Sequence, residues 1–274
     1  GALPGEYVRL ESVSSTKGGG QYIKTGVCPV AGQATSVEVK YRYLTVAAEN
    51  WLFGYWEGLS GNYGTAIGMA NNANVIVDRL RVNATAGYYG QSNTDVHELL
   101  FNTADGTFLD DRTKRLTPDL AGVTESKSDA NHEYYLFGRN TRTTGATDSY
   151  KWCAHATVYS CKISVDGELK RDYVPCRRLK DGVAGLYDLV SGTFCPPDSG
   201  DAFVAGKEVA EKPFAITVSS AKWVSESEGP LPEVRTAAGA VLTRGSDYTL
   251  SWLKCDDEKH AYVIVTGQGA YAGS

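Results

Sequence analysis

Two stretches of the chain alternate between apolar and polar residues with a period of two. Over 35–44, Val37, Val39, Tyr41 and Tyr43 fall on one side, and Ser36, Glu38, Lys40 and Arg42 on the other. Over 158–165, Tyr159, Cys161, Ile163 and Val165 share one side, and Val158, Ser160, Lys162 and Ser164 the other. That period belongs to a strand with one face buried, so both apolar sets are expected in a core. Asp166-Gly167 supplies the positive φ of a tight hairpin, and 168–176 returns as the partner strand. Pro175 has no amide donor and should end that ladder or sit at its edge. A second turn at Asp181-Gly182 leads into a short apolar run closed by Ser191-Gly192.

Elsewhere the pattern is of short strands separated by turn residues. Residues 6–26 read as two strands around Gly18-Gly19-Gly20. Residues 51–69, dense in aromatics and glycine, read as two strands around 58–64. Further strands are expected over 75–82, 95–101 and 133–139, with a hairpin at Ala104-Asp105-Gly106 into 107–109. The polar segment 110–131 reads as a long surface loop, and 140–149 as a second loop. Roughly a dozen strands at hairpin spacing suit two antiparallel sheets packed face to face. The charged, proline-ended segment 206–213 reads as a linker, dividing the chain into a domain over 1–206 and a smaller β domain over 207–274.

Composition narrows the function classes. The chain has 274 residues, 42% hydrophobic and 22% charged, as an ordinary globular protein has. No stretch approaches the roughly 20 apolar residues of a membrane helix, so no transmembrane segment is expected. A net charge of −5, with no basic cluster among aromatics, argues against a nucleic-acid partner. The start GALPGEY, with neither Met nor an apolar leader, reads as a chain from which a signal peptide has been removed. Six cysteines invite a disulfide framework, yet a chain of this size builds a core without one, and the pairing stays open. Cys153 and Cys161, if one strand holds both, lie roughly 26 Å apart and cannot pair.

Several motifs carry a resemblance. The order of strand, Asp166-Gly167, charged strand, Val174-Pro175-Cys176, then Gly185-Leu186-Tyr187-Asp188-Leu189-Val190 and Gly192-Thr193-Phe194, resembles the last third of the concanavalin A-like (laminin G-like) jelly-roll modules of bacterial secreted surface proteins. Tyr7-Val8-Arg9-Leu10-Glu11-Ser12 and Gln21-Tyr22-Ile23-Lys24-Thr25-Gly26 are similar to that family's opening, and Leu136-Phe137-Gly138-Arg139-Asn140 to its internal "LFGARN". Leu242 to Trp252 and Tyr262 to Gly273 are similar to small immunoglobulin-like repeats of bacterial surface proteins, although here the chain stops where the repeat normally adds a strand. The resemblance implies an all-β protein, a concanavalin A-like antiparallel sandwich followed by a small immunoglobulin-like β domain. It also implies a secreted or cell-surface location, within a larger surface protein whose other domains are partners.

Glycosidases on such a fold place carboxylates as Glu-x-Asp-x-x-Glu on one strand face, flanking a bond at about 5 Å. No such strand occurs; Asp110-Asp111 and Asp256-Asp257-Glu258 are neighbours that point opposite ways. No Gly-x-Ser-x-Gly elbow is present, and His97, His132, His155 and His260 are scattered. Cys153, His155 and Cys161 match no zinc module. The chain is therefore not expected to be an enzyme. Trp51, Tyr55, Trp56, Tyr63, Tyr88 and Tyr89 are either sandwich core or a surface on which sugar rings stack. Tyr55 and Trp56 cannot both be core, since neighbours on a strand face opposite sides. Calcium is common in the resembled superfamily, and Asp110, Asp111 and Asp119 are its candidate ligands. The leading expectation is a non-catalytic carbohydrate- or glycoprotein-binding, lectin-like or adhesion module. A structural spacer and a divergent glycoside hydrolase are the alternatives.

Overall fold

The structure is a computed structural model. It describes residues 3–30, 32–57, 63–70, 74–78, 81–82, 87–89, 93–104, 108–116, 124–125, 131–142, 150–209, 215–218, 231–236, 239–254 and 261–272. Among these residues there is no α-helix, only a single 3-10 turn at Gly269–Tyr271, and no helix is long and apolar enough to cross a membrane. The architecture is all-β with antiparallel sheets in a sandwich-like arrangement. It divides into two compact units, one of residues 12–175 and 184–206, the other of residues 1–11, 176–183 and 207–274.

The first sheet of the larger unit is ordered Thr113–Leu116, Phe108–Asp110, His97–Asn102, Thr35–Tyr43, Ala156–Val165, Glu168–Arg178, Ala184–Asp188, Thr193–Cys195. Thr35–Tyr43 alternates as its sequence demands, with Val37, Val39, Tyr41 and Tyr43 buried. Its partner Ala156–Val165 differs from expectation. The register slips between Val158, opposite Tyr41, and Ser160, opposite Lys40, so Tyr159 is an extra residue. Beyond this bulge the faces exchange: Ala156 and Val158 join Cys161 and Ile163 in the core, and Tyr159 is left partly exposed. Val165, at the strand end, is partly exposed too. Pro175 lies past Tyr173, the last residue that Glu168–Arg178 pairs with Ala156–Val165.

Residues 110–131 were expected to form a loop, but their first part is a hairpin. Asp110 pairs with Thr113 around the two-residue turn Asp111-Arg112, and both turn residues have left-handed φ, 49° and 62°. That is type I′ geometry, usually taken by Asn-Gly, which is why the turn is not legible in Asp-Asp-Arg-Thr.

The second sheet is ordered Tyr150–Cys153, Gly138–Arg142, Asn50–Glu57, Tyr63–Ala70, Asn74–Asp78, Gly87–Tyr89. One pair is parallel, Gly138–Arg142 against Asn50–Glu57. The strand expected over 133–139 is broken at Phe137, whose φ is 63°. Tyr135–Leu136 runs antiparallel to Phe53 and Gly54, and after Phe137 the chain continues parallel beside Tyr55, Trp56 and Glu57. Tyr134 is wholly buried in the core. Its ring stacks on Phe53 at 5.0 Å, and burial drives its hydroxyl to a high pKa. Val37, Val39, Phe101 and Ile163 of the first sheet and Phe53, Tyr55, Ile67 and Met69 of the second are all buried, none more than 3% exposed.

In the other unit Tyr7–Arg9 pairs with Cys176, Arg177 and Arg178, and Leu10 bridges to Glu208. Arg177 donates to Glu208, a bond that raises the guanidinium pKa further. Ala215–Val218 pairs with Pro232–Arg235, and Tyr248–Lys254 with Ala261–Gly267. Val234, Leu242 and Tyr248 form its core, with Leu250, Val265 and Tyr271 packed against it. The Thr-Arg-Gly-Ser-Asp segment is a closed turn: the Thr243 N–H donates to the Asp247 carboxylate at 2.8 Å, the Asp247 N–H to the Thr243 carbonyl at 2.9 Å, and Gly245 takes φ 91°.

The buried face of the central strand makes a quantitative expectation. Ile163→Ala should cost about 2–5 kcal/mol by leaving a cavity, whereas Lys162→Ala, which loses only a 3.7 Å surface pairing with Asp172, should stay within about 0.5 kcal/mol. Denaturant unfolding of both variants checks this; equal losses would mean the register is wrong.

Candidate functional site

The outer face of the second sheet carries a cluster of tryptophans, and a bulge creates it. Trp51 and Trp56 are five residues apart, so a regular strand would turn them to opposite faces. In Asn50–Glu57 the register slips between Trp51, opposite Gly68, and Phe53, opposite Ile67, while Trp56 sits opposite Gly64. Leu52 is the extra residue, and both indoles therefore point the same way. The strand facing them has to be bare. A Cβ on Gly68 would lie 2.6 Å from Trp51 Cα and 2.7 Å from its ring, and a Cβ on Gly64 2.9 Å from the Trp56 ring. Ala66, between the two glycines, packs against Trp51 and Trp152.

Arg139 holds the rings together. It enters this face because the chain turns at Phe137, and the register sets it opposite Trp152. Its guanidinium carbon lies 4.0 Å from the Trp51 ring centroid, 4.9 Å from Trp152 and 5.6 Å from Trp56. Its Nε donates to Thr141 Oγ1 at 3.0 Å. Arg139 is 8% exposed and Trp51 2%, so these two are the buried base of the cluster, while Trp56 and Trp152 remain partly exposed. A guanidinium between aromatic faces is attracted by each ring quadrupole, which offsets part of its lost hydration. Glu49, at φ 59°, accepts from the Trp51 indole N–H at 2.8 Å.

Of the aromatics singled out in the sequence, Trp51 and Trp56 come together here. Tyr55 does not: it is fully buried on the inner face, near His132. The side chains of Tyr63, Tyr88 and Tyr89 lie outside the described residues, though the backbone register aligns Gly68, Ile76 and Tyr88 across the sheet. Arg139, Gly64 and Gly68 were missed as site residues, because only the bulge and the turn at Phe137 bring them to the tryptophans.

Two other regions carry titratable groups. Asp110 and Asp111 meet at the type I′ hairpin and are joined by His97 on the neighbouring strand, a residue the sequence left unassigned; Asp119 lies outside the described residues. A shallow groove of about 290 Å³ is lined by Lys17, Thr45, Glu49, Asn50, Cys153 and His155 among others. There His155 Nδ1 shares a 2.6 Å hydrogen bond with Thr45 Oγ1, and burial, then the charge of Lys17, lower its pKa below 6.5. Burial pushes the thiol of Cys195 up to about 11. Another groove, about 410 Å³, lies on the outer face of the first sheet and is lined by Glu38, Lys40, Glu98, Arg112 and Lys162 among others, with no aromatic ring.

No protein-family model matches this chain, and no curated protein matches it significantly.

Two outcomes follow from these geometries. Gly68→Ala should cost about 1–3 kcal/mol by overpacking against Trp51 and should shift the intrinsic tryptophan fluorescence. His155, whose folded pKa lies below its unfolded one, contributes stability that is fully present above about pH 6.5 and falls away as pH drops through the folded value. Melting temperatures of the parent and His155→Gln, compared from about pH 8 to pH 5, should therefore show the parent losing stability relative to the variant as pH falls.

Proposed function

We propose that this chain is a non-catalytic carbohydrate- or glycoprotein-binding module, lectin-like or adhesive, of a secreted or cell-surface bacterial protein. The observation that carries this reading is the pair of partly exposed indoles, Trp56 and Trp152, set on one outer sheet face around the buried Arg139. Sugar rings present apolar C–H faces that stack on such rings, while neighbouring polar groups bond the hydroxyls. The strand beneath is bare at Gly64 and Gly68, where a Cβ would collide with the rings of Trp56 and Trp51. Arg139 acts as a positioning residue, since it fixes three ring planes and is itself nearly covered. The resemblance to concanavalin A-like modules supports the same reading, as does the lack in the sequence of a Glu-x-Asp-x-x-Glu strand. A purely structural role within a larger surface protein is the second reading, and it expects no ligand.

A glycan array screened with the whole chain tests the proposal. For a sugar found there, Trp56→Ala and Trp152→Ala should each remove about 1–3 kcal/mol of binding, tenfold or more in Kd, taking ring stacking on bases as the analogue. Thermal stability should change little, in contrast to Tyr55→Ala, which should unfold the protein. Binding to no glycan at all would sink the proposal in favour of the spacer.

A further inference from the structure

The hairpin at the edge of the first sheet carries chemistry that glycan binding does not use. His97 opens the strand His97–Asn102 and is 7% exposed; Asp110, on the paired strand, is 3% exposed, and Asp111 follows it in the turn. The ring nitrogen Nδ1 of His97 lies 2.9 Å from Asp111 Oδ2 and 3.4 Å from Asp110 Oδ1. The other nitrogen, Nε2, lies 2.8 Å from Asn93 Oδ1. That oxygen also receives the Asp95 backbone N–H at 3.0 Å. A backbone N–H only donates, so the Asn93 atom is an oxygen acceptor, and Nε2 must carry the hydrogen. In the neutral ring Nδ1 then bears the lone pair, and it is aimed at carboxylate oxygens. Two acceptors stay 2.9 Å apart only with a proton or a metal cation between them.

We propose that His97, Asp110 and Asp111 form a site for a first-row divalent metal, zinc foremost. A histidine whose second nitrogen is fixed by an oxygen acceptor is the usual arrangement of a metal-bound imidazole. Zinc bonds nitrogen and carboxylate oxygen at about 2.0–2.2 Å, so its ligands stand about 3.3 Å from one another around a tetrahedron. The two distances at Nδ1, 2.9 and 3.4 Å, bracket that separation. The three donor atoms lie within 4.8 Å of one another, and Asp111, about half exposed, has room to close the set. Calcium takes six to eight oxygens and no imidazole, so the nitrogen in this donor set favours zinc, cobalt or a similar ion over it. Three protein ligands leave a fourth position for water. The site lies on the first sheet and does not depend on the tryptophan face.

The whole chain, stripped of metal with a chelator, should bind one equivalent of zinc chloride in calorimetry and melt at a higher temperature with it. Calcium chloride should bind at least a hundredfold more weakly. Asp111→Asn keeps an oxygen for the Glu98 N–H that Asp111 now accepts at 2.9 Å, and asparagine tolerates the left-handed φ. It should leave the metal-free protein folded and weaken zinc at least tenfold, as should His97→Gln. If His97→Gln fails to fold, the visible spectrum of the cobalt-loaded parent, lost in Asp111→Asn, decides the point. The proposal is overturned if zinc does not bind, if calcium binds as tightly, or if zinc affinity is unchanged in Asp111→Asn, which would assign the ion to other residues such as the cysteines.

Discussion

Side chains on a strand alternate between two faces, so one extra residue exchanges the faces of everything beyond it. This constraint organises the larger unit. At Tyr159 the extra residue moves Ala156 and Val158 into the core and a tyrosine out of it. At Leu52 it brings Trp51 to the side of Trp56. Without the first bulge the Tyr41 and Tyr43 end of the sheet would face Tyr159; without the second, the tryptophan cluster would be split between core and surface. Opposite the second bulge the partner strand is bare, since a Cβ on Gly68 or Gly64 would collide with an indole.

The buried polar groups follow the same logic of compensation. Tyr134 lies wholly inside, stacked on Phe53, and burial raises the pKa of its hydroxyl. Arg139 is a charge nearly out of water, tolerable because three indole faces and Thr141 surround it. His97 is as buried and is enclosed by Asn93 and two carboxylates. The two candidate sites thus sit on different sheets and rest on different chemistry: the one on ring faces held by a cation, the other on acceptors converging on a single point.

The periodicity of Thr35–Tyr43, the Asp166-Gly167 hairpin and the glycine-punctuated strand spacing were enough to establish an all-β chain, because alternation and turn chemistry are local properties. The opposite facing of Tyr55 and Trp56 was legible for the same reason. What tertiary structure decided is everything that depends on a partner strand. The extra residues at Leu52 and Tyr159 show only in the pairing, and the left-handed φ at Phe137, Asp111 and Arg112 falls on residues that rarely adopt it. Arg139 reaches the tryptophans, and His97 the two aspartates, only through those features. The segment after Gly206 looked self-contained as a sequence, yet residues 1–11 and 176–183 belong to the same unit. A linear pattern cannot show this, since the return of a distant strand is fixed by the ladder it completes, as Tyr7–Arg9 does with Cys176, Arg177 and Arg178.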